Sequence, residues 1–191
     1  GGTAAAKRNS RAYRLTWDAR DPNDDRLLYA LYLKAEDETV WKLLEDNLEA
    51  NRAVLTTEDL ADGHYRIKVE AGDHRSNDRD NATTASRQSD IFLVDNTPPV
   101  VEDFAARRVG DGEWEVTARV VDALSIVSGA EYDIDARNEP RAVAPEDGIF
   151  DFSTETFRFR VRPAEKSPEH ALMLRVSDRE GNSAVARVLL K

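Results

Sequence analysis

Cysteine is absent from this 191-residue chain, which excludes disulfides and thiolate metal sites together. Histidine is scarce, limited to His64, His74 and His170. No Gly-x-Ser-x-Gly elbow and no His-Glu-x-x-His pair accompanies them, so neither a hydrolytic triad nor a zinc-protease helix is encoded. Carboxylates are plentiful, but a general-acid pair needs two of them held at a defined separation in a cleft, not abundance. The chain is therefore read as non-catalytic. No apolar run approaches the roughly 20 residues that cross a bilayer. The opening stretch from Gly1 to Ser10 lacks the apolar h-region of a secretory signal; it reads as a linker or cloning scar at the head of a piece of a longer protein. Positive charge is in deficit, with 27 Lys and Arg against 37 Asp and Glu and a net charge of −10. That balance argues against nucleic acid, whose binding is driven by clustered cations, and favours solubility and the attraction of divalent cations to acid-rich loops.

What the sequence does have is alternation. Tyr13, Leu15 and Trp17 are apolar and separated by polar residues, the period of a half-buried strand. Tyr65, Ile67, Val69 and Ala71 repeat it, as do Trp114, Val116, Ala118 and Val120, then Phe157, Phe159 and Val161, then Leu172, Leu174 and Val176. Leu27 to Lys34 is more continuously apolar and fits a central strand. Ser89 to Val94 and Ala184 to Leu190 read as strands that end two successive domains. Val40 to Leu48 has some helical character, but its flanks suit a short strand and turn. Between the two series lies Asp95-Asn96-Thr97-Pro98-Pro99, where paired prolines enforce an extended backbone that cannot continue a ladder.

The two series form an internal repeat. Ile67-x-Val69-x-Ala71-x-Asp73 aligns with Leu172-x-Leu174-x-Val176-x-Asp178, and Trp17-Asp18-Ala19 with Val121-Asp122-Ala123. The length suits two sandwiches of roughly 90–100 residues each.

Specific residues then point to a family. Leu15-Thr16-Trp17-Asp18 followed by Tyr29 and Tyr32 resembles the B and C strands of fibronectin type III domains. Leu60-Ala61-Asp62-Gly63-His64-Tyr65 looks like a tyrosine corner before strand F, whose phenol bonds back to upstream backbone. Val94-Asp95-Asn96-Thr97-Pro98-Pro99 resembles the junction that introduces bacterial Ig-like domains, and Ser177 to Asn182 resembles their terminal Asp-x-x-Gly-Asn turn. His170 stands where Tyr65 stands in the first copy, so a second tyrosine corner is not expected. From Arg11 to Lys191 the order is similar to paired modules that follow β-propeller repeats in secreted bacterial proteins. The resemblance implies an all-β protein of two tandem antiparallel β-sandwiches: residues 1–10 a linker or scar, 11–96 a fibronectin type III-like sandwich, 97–191 an Ig-like sandwich. It further implies an extracytoplasmic structural spacer or interaction module that positions or docks a neighbouring domain of the same polypeptide or a separate protein.

The candidate chemistry lies in the acids. In such a sandwich the B–C and F–G loops share one end, which gathers Asp18, Asp21, Asp24 and Asp25 with Asp73, Asp78 and Asp80. Around the junction, Asp95, Asp122 and Asp178 approach the linker end, near Asp62. Asp18, Asp73, Asp95, Asp122 and Asp178 are the candidate metal ligands, and Ca²⁺, which takes 6–8 oxygens, is the one cofactor they suit. The plainer reading, and the first that these residues meet, is that Asp and Asn are turn formers solvated in long loops. A glycan is the alternative ligand: Trp17 is expected in the core, whereas Trp41 and Trp114 are either buried or placed where a sugar could stack. Asn81-Ala82-Thr83 matches a glycosylation acceptor. Arg158-Phe159-Arg160-Val161-Arg162 presents a solvated basic face on one strand.

Overall fold

The computed structural model describes residues 5–8, 12–23, 25–73 and 83–191, with residues 5–8 described by their backbone alone. Strands and turns account for all of the regular structure among these residues, and every strand pairing is antiparallel. The chain divides into two compact units, Gly1–Asn96 and Thr97–Lys191.

In the first unit the strands are β1 (Ala5–Arg8), β2 (Ala12–Thr16), β3 (Leu28–Ala35), β4 (Lys42–Leu48), β5 (Arg52–Thr56), β6 (Gly63–Gly72), β7 (Thr84–Gln88) and β8 (Phe92–Val94). One sheet runs β1-β2-β5; the other runs β4-β3-β6-β7, with β8 also paired to β6. The alternating set Tyr13, Leu15 and Trp17, with Leu55, faces Tyr29, Leu31, Leu33, Tyr65, Ile67 and Val94 across the interior. The two sheets thus close over one apolar layer.

The second unit repeats the plan with β9 (Val100–Gly110), β10 (Glu113–Val121), β11 (Val127–Ile134), β12 (Arg141–Ala142), β13 (Thr154–Val161), β14 (His170–Asp178) and β15 (Ser183–Leu190). Its sheets are β13-β10-β9 and β12-β11-β14-β15. Trp114, Val116, Ala118 and Val120 on β10 and Phe157 and Val161 on β13 close against Leu172, Leu174 and Val176 on β14. Asp111-Gly112 turns β9 into β10, with Gly112 at φ +68°, the left-handed backbone that a two-residue hairpin demands.

The structure corrects the last strand of the first unit, expected over Ser89 to Val94. Pairing with β6 begins earlier, at Thr84, and breaks at Ser89 before resuming as β8. Ser89 carries the ladder across the break: its N–H donates to the Ile67 carbonyl (2.8 Å), and its Oγ accepts the Ile67 N–H (3.1 Å). β5, β7, β9 and β11 were not among the strands read from alternation; β9 and β7 lie largely exposed and show no two-residue rhythm of burial.

The tyrosine corner is present. Tyr65 Oη donates to the Ala61 carbonyl at 2.8 Å, four residues upstream. In the second unit His170 occupies the matching position, and its Nδ1 donates to Asp135 Oδ2 at 2.7 Å. Asp135, in the left-handed region at φ 58°, also accepts the Ala171 N–H on Oδ1 at 2.9 Å. The His170 hydrogen bond, then that from the Ala171 backbone, holds the Asp135 carboxyl below the usual carboxylate range.

Two outcomes follow for stability. Tyr65→Phe should destabilise the first unit by about 0.5–1.5 kcal/mol through the lost hydrogen bond, read as a lower urea midpoint for that unit alone; an unchanged midpoint would remove the corner's role. Asp135→Asn keeps the shape and the left-handed backbone but removes the charge. Because the Asp135 pKa is depressed on folding, its contribution is present above the ordinary carboxylate value near 3.8 and is lost as pH falls through the lower folded value. The variant should therefore be less stable at neutral pH by about 1 kcal/mol, a modest figure because the carboxylate is 31% exposed. The difference should close in strong acid, as measured by urea unfolding at both ends of that range.

Candidate functional site

Each carboxylate singled out at a strand end is placed by the alternation of its strand. Trp17 points into the core, so the next residue, Asp18, points out and is exposed. Asp18 accordingly stands outside the acid group of the first unit, which among the described residues consists of Asp21, Asp25 and Asp73, with oxygens within 4.8 Å of one another. Asp73 is buried just after β6, where its Oδ1 accepts the Thr83 N–H at 2.7 Å. Asp21 Oδ1 accepts the N–H groups of Asn23 and Asp25, an Asx turn that folds the loop on itself. Asp24, His74, Asp78, Asp80 and Asn81-Ala82 lie outside the described residues. Asp95, directly after β8, is buried. Its neighbour Asn96 ties down the corner loop of the same unit: its N–H donates to Asp62 Oδ1 (2.7 Å) and its Nδ2 to the carbonyls of Thr57 and Leu60.

Within the second unit the structure brings Asp122 and Asp178 together. Asp122 follows β10 and is 4% exposed; Asp178 ends β14 and is 3% exposed. One oxygen from each lies within 4.8 Å of the other. Asp122 Oδ1 accepts three hydrogen bonds from its own loop: Leu124 N–H at 3.0 Å, Ser125 N–H at 2.6 Å and Ser125 Oγ at 3.1 Å. Its other oxygen, Oδ2, is buried and accepts no hydrogen bond. Asp178 accepts from Asn182 twice, N–H to Oδ1 at 2.8 Å and Nδ2 to Oδ2 at 2.7 Å. The turn between them passes through Gly181 at φ +89°. Asn182 Nδ2 also reaches the Thr97 carbonyl at 3.4 Å, at the start of the unit.

The electrostatics of this pair are unfavourable as it stands. Among the described residues no Lys, Arg or His forms an ion pair with either carboxylate. Two unit charges no more than 4.8 Å apart repel by about 3.5 kcal/mol or more at an effective dielectric constant of about 20, and burial adds a desolvation penalty for each. The spacing does not exceed about twice a Ca²⁺–oxygen distance of roughly 2.4 Å, so one ion can touch both residues.

The remaining candidates serve packing. Trp17 and Trp114 are core residues. Trp41 is half-buried beside β4, but Lys34 and Lys68 ammonium groups lie 5.5 and 5.6 Å from its ring, and Lys68 lies 4.1 Å from the Tyr32 ring. The aromatic faces that could stack a sugar are thus engaged by cations. The arginines in and just after β13 are engaged by acids: Arg158 pairs with Glu146 (2.6 Å) and Glu115 (3.5 Å), and Arg160 and Arg162 both approach Glu113. An apolar cleft of about 360 Å³ opens between the sheets of the first unit, floored by Leu15, Trp17, Ile67 and Val69 with Asp18, Asp21 and Arg87 at its rim.

No protein-family model matches the chain, and no curated protein matches it. Among solved structures it is similar to the FN1–FN3 domains of chicken CNTN1, at 14% identity and a TM-score of 0.43, covering the whole of this chain and 65% of that one. Two facing antiparallel sheets, three strands on five in the first unit and three on four in the second, with the tyrosine corner of the first, make the plan of a fibronectin type III or Ig-like sandwich.

Proposed function

We propose that this chain is a non-catalytic structural module of an extracytoplasmic polypeptide: two sandwiches in series that space or dock a neighbouring domain or a protein partner. The observation that carries the reading is how the buried polar side chains are used. Asp73 holds Thr83, Asp122 holds Leu124 and Ser125, Glu155 holds the N–H groups of Asp151 and Phe152, and Asp178 holds Asn182. Each fastens its own loop, and the one hydroxyl among these contacts, Ser125 Oγ on Asp122, belongs to that same loop and has no histidine on it. Such loops resist opening, as a load-bearing spacer requires, whereas a catalytic or ligand-gated loop draws on the weakly held end of the stability range. The extracytoplasmic setting is supported by the resemblance of the strand and junction motifs to secreted bacterial modules. A glycan ligand is less well supported, because Trp17 and Trp114 are buried and Trp41 is covered by lysines.

Mechanical unfolding tests the proposal. Pulled from its ends, the chain should extend in two discrete events, each releasing roughly 30 nm of contour for a unit of about 95 residues at about 3.4 Å per residue. Gradual lengthening without force peaks would overturn the spacer reading, since a module that yields continuously cannot hold a neighbour in place.

A further inference from the structure

Asp122 and Asp178 are the feature of the second unit that its fold leaves unexplained. Turn formation accounts for Asp122 Oδ1, which serves the loop, and for the contacts of Asp178 with Asn182. It does not account for Asp122 Oδ2, an anionic oxygen on a side chain 96% shielded from solvent, with no donor in reach. Nor does it account for a second buried carboxylate within 4.8 Å and no cationic side chain on either. A buried carboxylate oxygen needs hydrogen-bond donors or a cation to offset its lost hydration, and Oδ2 has no donor.

We propose that Asp122 and Asp178 bind a calcium ion at the loop end of the second unit. Oxygen donors alone select a hard cation. With Oδ1 saturated by the loop, Oδ2 is the Asp122 oxygen left for an ion, and the two carboxylates approach within 4.8 Å, a span that one ion can bridge. The set is two carboxylates on irregular loops, which suits the flexible coordination of Ca²⁺ better than the strict octahedron of Mg²⁺. The ion fastens the loop after β10 to the turn after β14, joining the two sheets at one end, since β10 belongs to one and β14 to the other. This site stands apart from the spacer reading: it holds or fails whatever the module is attached to.

The test uses the full chain, stripped of metal and titrated with CaCl2. Calorimetry should show binding, and the melting transition of the second unit should rise in millimolar Ca²⁺ and fall back with chelator. In nitrogen–proton spectra, the amides of Leu124, Ser125 and Asn182 should shift with the same midpoint. Asp122→Asn and Asp178→Asn should each weaken Ca²⁺ binding by roughly tenfold or more, because affinity follows the count of ligand charges. Asp73→Asn, in the acid group of the first unit, should leave these shifts intact. If either second-unit variant fails to fold, the amide shifts of the unmodified chain decide the matter. Amides at these three positions that stay still in millimolar Ca²⁺ overturn the proposal, as does Ca²⁺ affinity that survives both substitutions.

Discussion

An apolar layer one side chain deep on each face is the constraint on which both units depend. Among the described residues no helix covers these sheets, and no disulfide joins them, so in each unit one sheet must bury a face against the other. In the second unit this is done by Val116 and Val120 on one side and Leu172, Leu174 and Val176 on the other, all fully enclosed. Each such side chain contributes about 1.5–3 kcal/mol on burial. The alternation that puts these residues inside puts their neighbours outside, and it dictates which polar groups can reach the strand ends.

At those ends the polar side chains take over. A loop leaving a sandwich carries backbone N–H groups that the sheets no longer satisfy. Here carboxylates answer them, Asp122, Glu155 and Asp178 in the second unit and Asp73 in the first, while the Asn96 amide donates to two loop carbonyls. The repeat is conserved in plan and varied in detail. Where the first unit closes its corner with a phenol on a carbonyl, the second uses an imidazole on a carboxylate. The substitution changes a neutral contact into one sensitive to acid without moving the strand that bears it.

How much of this was legible depends on the range of the interaction. β2, β6, β10, β13, β14 and β15 were readable because burial alternates along each of them and period two is a local property. β9 and β7 were not, because edge strands with few buried positions leave no rhythm in the sequence. The tyrosine corner was legible because its partner lies only four residues away. Asp122 and Asp178 could be named from the repeat, yet the approach of two carboxylates 56 positions apart in sequence exists only once β10 and β14 face each other. Asp18 was set beside Asp73 by loop membership alone; the inward turn of Trp17 sends it to solvent and leaves Asp21 and Asp25 in its place.

The bond from Tyr13 Oη to the Leu93 carbonyl joins groups 80 residues apart at 2.7 Å. It ties β2, near the beginning of the first unit, to β8 at its close, and so bears on how the protein is born. A ribosome adds about 5–20 residues per second, so roughly ten seconds separate the synthesis of the two partners. Throughout that interval the apolar row of Tyr13, Leu15 and Trp17 is outside the tunnel with half of its covering still unmade. Few local contacts are available to shelter it, since closing so long a loop must precede the contacts that reward it. The nascent chain therefore exposes an apolar strand until the last strand of the first unit is made, and that exposure ends when Val94 enters the core.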